Sequence, residues 1–247
     1  MASEVRVGCA GWSLPKIHAE NFPAAGSHLE RYAARFSTVE INSSFYRSHK
    51  PATYARWAAS VPAGFQFAVK VPRLFTHISR LADVAVFNGF IREVTVLGDK
   101  LGPLLVQLPP SLAFRTDALR VAFGTLRERF AGSMACEPRH ASWFTPEAEQ
   151  LLAEFQIARV AADPAPLPAG RWPGGWNGLI YFRLHGSPRM YYSSYPDERL
   201  DALARLLVDK AQSMPVWCIF NNTAQGAATV NALSLVERLS HESIGEA

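Results

Sequence analysis

The chain has 247 residues, 49% of them hydrophobic, a formal net charge of +4 and three cysteines. That length fits one large single-core domain, a sandwich or an α/β barrel, as well as two small domains. The modest basic excess permits an anionic ligand, but it lacks the Lys/Arg run of a nucleic-acid arm, and no stretch approaches the ~18 uninterrupted apolar residues of a membrane span.

In chain order, Met1 to Val7 has no basic region followed by an apolar one, so no secretory signal and a cytoplasmic location are expected. Val5 to Cys9 predicts a strand and Leu29 to Phe36 a helix with Leu29, Tyr32, Ala33 and Phe36 on one face. Thr38 to Asn42 predicts a second strand and Ala52 to Ser60 a helix, and Phe65 to Val71 predicts a third strand. Asp83 to Leu97 has the spacing of one long amphipathic helix. Leu104 to Gln107 reads as a strand closed by Pro109 and Pro110, and Thr116 as the N-cap of a helix to Phe130. Met134 to Glu137 is a strand stopped by Pro138, followed by a helix from Pro146 to Phe155 with proline in its first turn. Ala158 to Ala162 is a sixth strand, after which the Pro- and Gly-rich stretch from Pro164 to Gly178 predicts a long loop. Leu179 to Leu184 and Val216 to Phe220 are the last strands, Asp197 to Gln212 is a helix, and Thr223 is read as the cap of a final helix to Leu239. Cys9, Cys136 and Cys218 lie far apart in apolar strand-like runs, as buried free thiols do.

Eight strands alternating with helices argue for βαβ units and a parallel sheet. The expected fold is α/β, one (β/α)8 TIM-barrel-like domain over residues 1–247, with the helix after strand six replaced by the Pro/Gly-rich loop. A doubly wound open sheet is the alternative, but it would bring a Gly-rich phosphate loop that is missing here.

In such barrels the active site stands where strands give way to loops on the C-terminal face. Those positions hold Glu40, Asn42, Lys70, His77, Gln107, Glu137, Arg139, His140, Asp163, Arg183, His185, Asn221 and Asn222. Strand alternation puts Glu40 with Asn42, and Arg183 with His185, on common faces. Glu137 and His185 are the expected general acid/base pair. Lys70, Arg139 and Arg183 would bind an anion and stabilise developing negative charge. Glu40 joins the catalytic set, and with Asn42, Gln107, Asn221 and Asn222 it would orient substrate. His77, His140 and Asp163 complete the substrate-binding set, with Tyr46, Trp143 and Tyr192 able to stack on a ligand.

No HExxH or tight His-x-His spacing appears, and the three cations compete with a metal, so no metal site and no cofactor are assigned. A divalent metal stays an alternative on ligand type alone. The expected partner is a small anionic, phosphate- or carboxylate-bearing, or sugar-like metabolite, transformed by acid/base chemistry. A metal-dependent nucleic-acid phosphodiesterase or nucleic-acid-binding protein is the second reading, and a non-catalytic ligand-binding module the third.

The strand-end words together resemble one family. They are Gly8-Cys-Ala-Gly-Trp12, Glu40-Ile-Asn-Ser-Ser-Phe-Tyr46, and Phe67-Ala-Val-Lys70 with Thr76-His77. Gln107-Leu-Pro-Pro110, Glu137-Pro-Arg-His140 with Ser142-Trp143, Arg183-Leu-His-Gly186, and Phe220-Asn-Asn222 with Asn231-Ala232 follow in order. The chain thus resembles the YecE-like family, domain of unknown function 72, over nearly its whole length. The resemblance implies a TIM-barrel-like fold and no particular activity. Cys9-Ala10 stands where the family pattern has Thr or Ser followed by Ser, which removes a hydroxyl there.

Overall fold

The structure is a computed structural model that describes residues 4–244, with side chains described through residue 241. Met1 to Ser3, part of the stretch read for a leader, lie outside the described residues. The elements are β1 (Val5–Cys9), α1 (His28–Ala33), β2 (Thr38–Ile41), α2 (Pro51–Ala59), β3 (Gln66–Lys70), α3 (Val84–Val94), β4 (Leu101–Gln107) and α4 (Thr116–Arg129). They continue with β5 (Met134–Glu137), α5 (Pro146–Glu154), β6 (Ile157–Arg159), β7 (Ala161–Asp163), β8 (Gly174–Gly175), β9 (Ile180–Leu184), α6 (Asp197–Ala211), β10 (Val216–Phe220) and α7 (Ala227–Ile244).

The strands form two sheets, ordered β1-β10-β9-β7 and β2-β3-β4-β5-β6-β8, and all pairings are parallel except that of β8 with β6. The sheets meet at both ends of the ring. The expected sixth strand is split there: β6 pairs with β5, β7 pairs with β9, and Val160 between them donates its N–H to the Cys136 carbonyl at 2.9 Å. One segment therefore leaves the first sheet and joins the second.

On the far side β1 and β2 share a single bridge, Ala10 with Glu40, and the Gly11 N–H reaches the Glu40 carbonyl at 2.9 Å. Below it, the Tyr32 hydroxyl of α1 accepts from the Cys9 N–H at 2.8 Å and donates to the Thr38 carbonyl at 3.0 Å. The phenol stands in for a ladder bond and satisfies both backbone groups. Gly8 makes this approach possible, because a Cβ there would collide with the Thr38 carbonyl oxygen. The result is the TIM-barrel-like arrangement that the alternation predicts.

Period-2 alternation divides the interior in two. Val7, Val39, Phe67, Val106, Cys136, Phe182 and Cys218 join helix residues such as Phe87, Phe123 and Leu207 in the larger core. The smaller core, with Ala68, Leu105, Ala135, Ala158, Tyr181, Trp217 and Ile219, is drawn almost wholly from strands and fills the barrel. All three cysteines are buried and free. Cys9, Cys136 and Cys218 sit in the helix-facing layer, away from the barrel interior.

Several expected boundaries move. Thr116 is the first residue of α4 and Arg115 holds the cap position; the Thr116 hydroxyl donates instead to Glu147 on α5. α7 starts at Ala227, and Thr223 only accepts the Gly226 N–H through its carbonyl. The long helix expected to Leu97 ends at Val94 and passes into a tighter turn broken at Gly98, whose φ of 56° only glycine adopts freely. The 164–178 stretch carries no α-helix, only a single turn at Pro168–Arg171 and the two-residue β8. Glu149 of α5 pins it, holding both the Arg159 guanidinium and the Gly175 N–H. Among the described residues no helix is long and apolar enough to cross a membrane.

Candidate functional site

The C-terminal end of the barrel interior is occupied by charge. Arg183, the fourth residue of β9, spans it with Nε on Glu40 Oε2 at 3.0 Å and Nη2 on Glu40 Oε1 at 2.7 Å. Its Nη1 reaches across to Glu137 Oε2 at 2.9 Å. A bidentate guanidinium–carboxylate fork of this kind fixes both side chains. The Tyr181 hydroxyl, one alternation below Arg183, donates to Glu40 Oε2 at 3.0 Å. Glu137 Oε1 accepts from Arg139 Nη2 and lies 2.9 Å from His185 Nε2.

His185 is buried between donors and a carboxylate: Nδ1 lies 3.0 Å from Asn221 Nδ2, and Nε2 lies 2.9 Å from Glu137 Oε1 and 2.7 Å from Arg139 Nη2. Burial lowers the imidazole pKa and outweighs the Glu137 charge, so the ring is neutral near pH 7. Burial alone would raise the Glu137 carboxyl, but the Arg139 and Arg183 guanidiniums hold it well below the usual carboxylate range.

Lys70 ends β3 and is 5% exposed. Among the described residues its ammonium has no hydrogen-bond or ion-pair partner; it stands 3.9 Å from the centre of the Phe45 ring. Local structure explains the pairing. After Ile41 the backbone turns, Asn42 having φ −84° and ψ −20°, and the turn Ser43–Phe45 lays the ring over the amine. The Ser44 hydroxyl secures this by reaching the Lys70 carbonyl at 2.6 Å and the Ile41 carbonyl at 2.8 Å. Burial, reinforced by the Arg183 charge, pulls the Lys70 ammonium down to about 7, against the attraction of Glu40 and Glu137. A cation–π contact favours the charged form by only about 1–2 kcal/mol, too little to restore an ordinary lysine.

Glu40, Lys70, Glu137, Arg139, Arg183, His185 and Asn221 thus converge, as their strand-end positions predict. Others expected there do not join them. Asn42 leaves the strand geometry that would align it with Glu40, and lines a flanking cleft with Gly11, Trp12, His28 and Tyr46. Tyr46 is 74% exposed, and the neighbouring Phe45 takes the inward place. His77 bonds Thr76 through Nδ1 at 2.8 Å and lays its ring edge on Phe45, a second layer behind Lys70. Gln107 lies opposite Glu137 in the β4–β5 register, half-buried at the rim.

His140 is turned away from the network, its Nδ1 bonding the Ser142 hydroxyl at 2.8 Å and N–H at 3.2 Å. Trp143 is core: fully buried, packed on Phe114 and Phe123, its indole N–H on the Leu112 carbonyl at 2.8 Å. Asp163 serves the site through its backbone, its carbonyl accepting the His185 N–H at 2.7 Å and the Tyr195 hydroxyl at 3.1 Å. Asn222 clamps the 187–196 segment, donating to the Ser193 carbonyl and to Asn231 Oδ1, each at 2.9 Å. Tyr192 is exposed and pairs its ring with Arg189 at 3.9 Å, while Tyr191 sets its ring edge-on to His185.

Three contributors were not singled out by the sequence: Tyr181, Ser44 and Phe45. Tyr181 has a legible signal, since it shares the alternation face of Arg183 and His185. Among the described residues no three His, Cys, Asp or Glu side chains group closely enough to hold a metal ion.

A family model described as protein of unknown function DUF72 matches residues 6–246. The UPF0759 protein YunF of Bacillus subtilis is 26% identical over 277 aligned positions, 98% of this chain and 96% of that protein. The UPF0759 protein YecE of Escherichia coli K12 is 28% identical over 68% of this chain and 62% of its own length. Among solved structures, a DUF72 family protein of Thermotoga maritima superposes with a TM-score of 0.81 at 26% identity, covering 96% of this chain and 99% of that one. A xylose isomerase-like TIM barrel/4-hydroxyphenylpyruvate dioxygenase fusion protein matches 88% of this chain and 41% of its own at a TM-score of 0.50 and 15% identity, which speaks to fold alone.

Proposed function

The chain belongs to the DUF72 family of proteins of unknown function, and we propose that its barrel mouth binds a small anionic or sugar-like metabolite and acts on it by acid/base chemistry. One observation carries the reading: Lys70 is a buried amine without a polar partner, in a cluster that already holds two guanidiniums. Lys70, Arg139 and Arg183 stand against Glu40 and Glu137, three cationic groups to two carboxylates. A purely structural network would balance its charges, because an unpaired buried ion costs several kcal/mol. An anion entering at the mouth would meet the unpartnered Lys70 ammonium.

The roles differ from a Glu137–His185 acid/base pair. A carboxylate held ionised by two guanidiniums is a weak base, and Glu137 has no proton to give near neutrality. It orients Arg183 and His185. Lys70, titrating near 7, is the group matched to proton exchange at neutral pH. Bound negative charge would raise its pKa and load the proton at the point of reaction. The flanking cleft of about 420 Å³, lined by Trp12, His28, Asn42 and Tyr46, offers polar and aromatic surface for the rest of the ligand.

The test is a thermal-shift series with inorganic phosphate, succinate and sugar phosphates on the native protein, Lys70→Met and Arg139→Gln. Anions are expected to raise Tm in the native protein and to lose that effect in both variants. Equal shifts in all three proteins, or none in the native one, would refute the reading.

A further inference from the structure

Four of the five lysines have ordinary surroundings. Lys16 and Lys50 are exposed, Lys100 donates to the Ala58 carbonyl at 2.7 Å and to the Val61 carbonyl at 2.5 Å, and Lys210 pairs with Asp209 at 2.8 Å. Lys70 alone is buried, bare of polar partners among the described residues, and set at a strand end facing the mouth. An amine placed only to bind an anion gains from being protonated and hydrogen-bonded. This one is surrounded in a way that suits a free lone pair.

We propose that Lys70 is a covalent nucleophile and that the substrate is an oxo acid, a carbonyl compound carrying its own carboxylate. This rests on the mouth being an anion-binding reactive site, and it narrows the substrate class. In the first step the Nζ lone pair forms a C–N bond to the carbonyl carbon, the C=O π pair moves to oxygen, and a proton passes from nitrogen to that oxygen, giving a carbinolamine. In the second, the hydroxyl takes another proton and leaves as water while the nitrogen lone pair forms the C=N bond. One carbonyl and one ammonium thus become one iminium and one water, with no change of oxidation state.

The surroundings fit each species. Burial and the Arg183 charge pull the amine down to about 7, so a sizeable unprotonated fraction is present at neutral pH, as a condensing lysine requires. The Phe45 face at 3.9 Å stabilises the cationic nitrogen once it forms. The iminium carries a positive charge beside Arg139 and Arg183, so a neutral ketone would leave that repulsion standing, whereas a carboxylate in the same molecule offsets it. The adduct withdraws electrons from the neighbouring carbon, which acidifies its C–H or weakens its C–C bond.

The experiment is reductive trapping. The full chain is incubated with pyruvate and sodium cyanoborohydride, and the modified lysine is located by peptide mass mapping. The reduced pyruvyl adduct is expected on Lys70, absent from Lys70→Met, several-fold weaker with acetone in place of pyruvate, and rising between pH 6 and 8. Labelling confined to Lys16 or Lys50, or equal labelling by acetone, overturns the proposal. If Lys70 stays unmodified while phosphate and succinate still stabilise the native protein, the covalent step is wrong and the anion site survives. If neither occurs, both fall. Mapping on the native protein decides the matter even if Lys70→Met fails to fold.

Discussion

Arg159 and Arg183 are both buried arginines that hold a glutamate, and their surroundings differ in charge balance. Arg159 faces outward from β6, pairs with Glu149 of α5, stacks over Phe144 and reaches the Ala169 carbonyl. That cluster joins strand, helix and the 164–178 loop with one cation and one anion, and Glu149 keeps 32% of its side chain in solvent. Arg183 faces inward, and around it the charges do not cancel. Two carboxylates are shared between Arg183 and Arg139, with an unpartnered Lys70 beside them. A charge cluster that balances itself is explained by the fold. One that keeps an extra cationic group without a polar partner calls for something to meet it.

The contrast sets the size of what substitution should do. Arg183→Met strips the guanidinium from two buried carboxylates, and urea unfolding should show a loss of about 3–5 kcal/mol. Arg159→Met leaves a glutamate that can turn to water, and the loss should be about 1–2 kcal/mol. Equal losses would erase the distinction between the clusters.

Lys70→Met sharpens it with a change of sign. A lysine whose pKa falls from 10.5 to about 7 on folding binds fewer protons folded than unfolded between those values. Its penalty is therefore fully present below pH 7 and is relieved as pH rises towards 10.5. In that window the native protein should gain stability relative to Lys70→Met by up to about 1.4 kcal/mol per pH unit. Using the difference between the two proteins cancels the opposite drift from the buried thiols, whose pKa values burial raises. At pH 6 Lys70→Met should be the more stable of the two. A flat difference across pH 6–9 would mean that the amine is solvated or paired.

Much of this was legible from the chain because a parallel barrel places strand ends and function together. Glu40, Lys70, Glu137, Arg183 and His185 each sit where an apolar run stops, and alternation keeps their side chains inward. The readings that failed lie past that point. Once the backbone turns, strand alternation no longer says where a side chain goes, so Asn42 and Tyr46 point to a flanking cleft while Phe45 turns in. Trp143 and Asn222 look like site residues from their position, but one is needed to fill the core and the other to hold a loop. Thr116 and Thr223 failed as caps because a cap depends on backbone torsion and on the partners nearby, which residue type alone does not fix. The split of strand six arises from register between two sheets, which leaves no mark in composition.

The most direct test of the account is the titration of Lys70 itself, followed by NMR of lysine side chains labelled at Cε and assigned by loss of one signal in Lys70→Met. A midpoint near 7 in the free protein, with a clear rise when phosphate or succinate is added, is expected. A midpoint near the ordinary 10.5, unmoved by either anion, would contradict it.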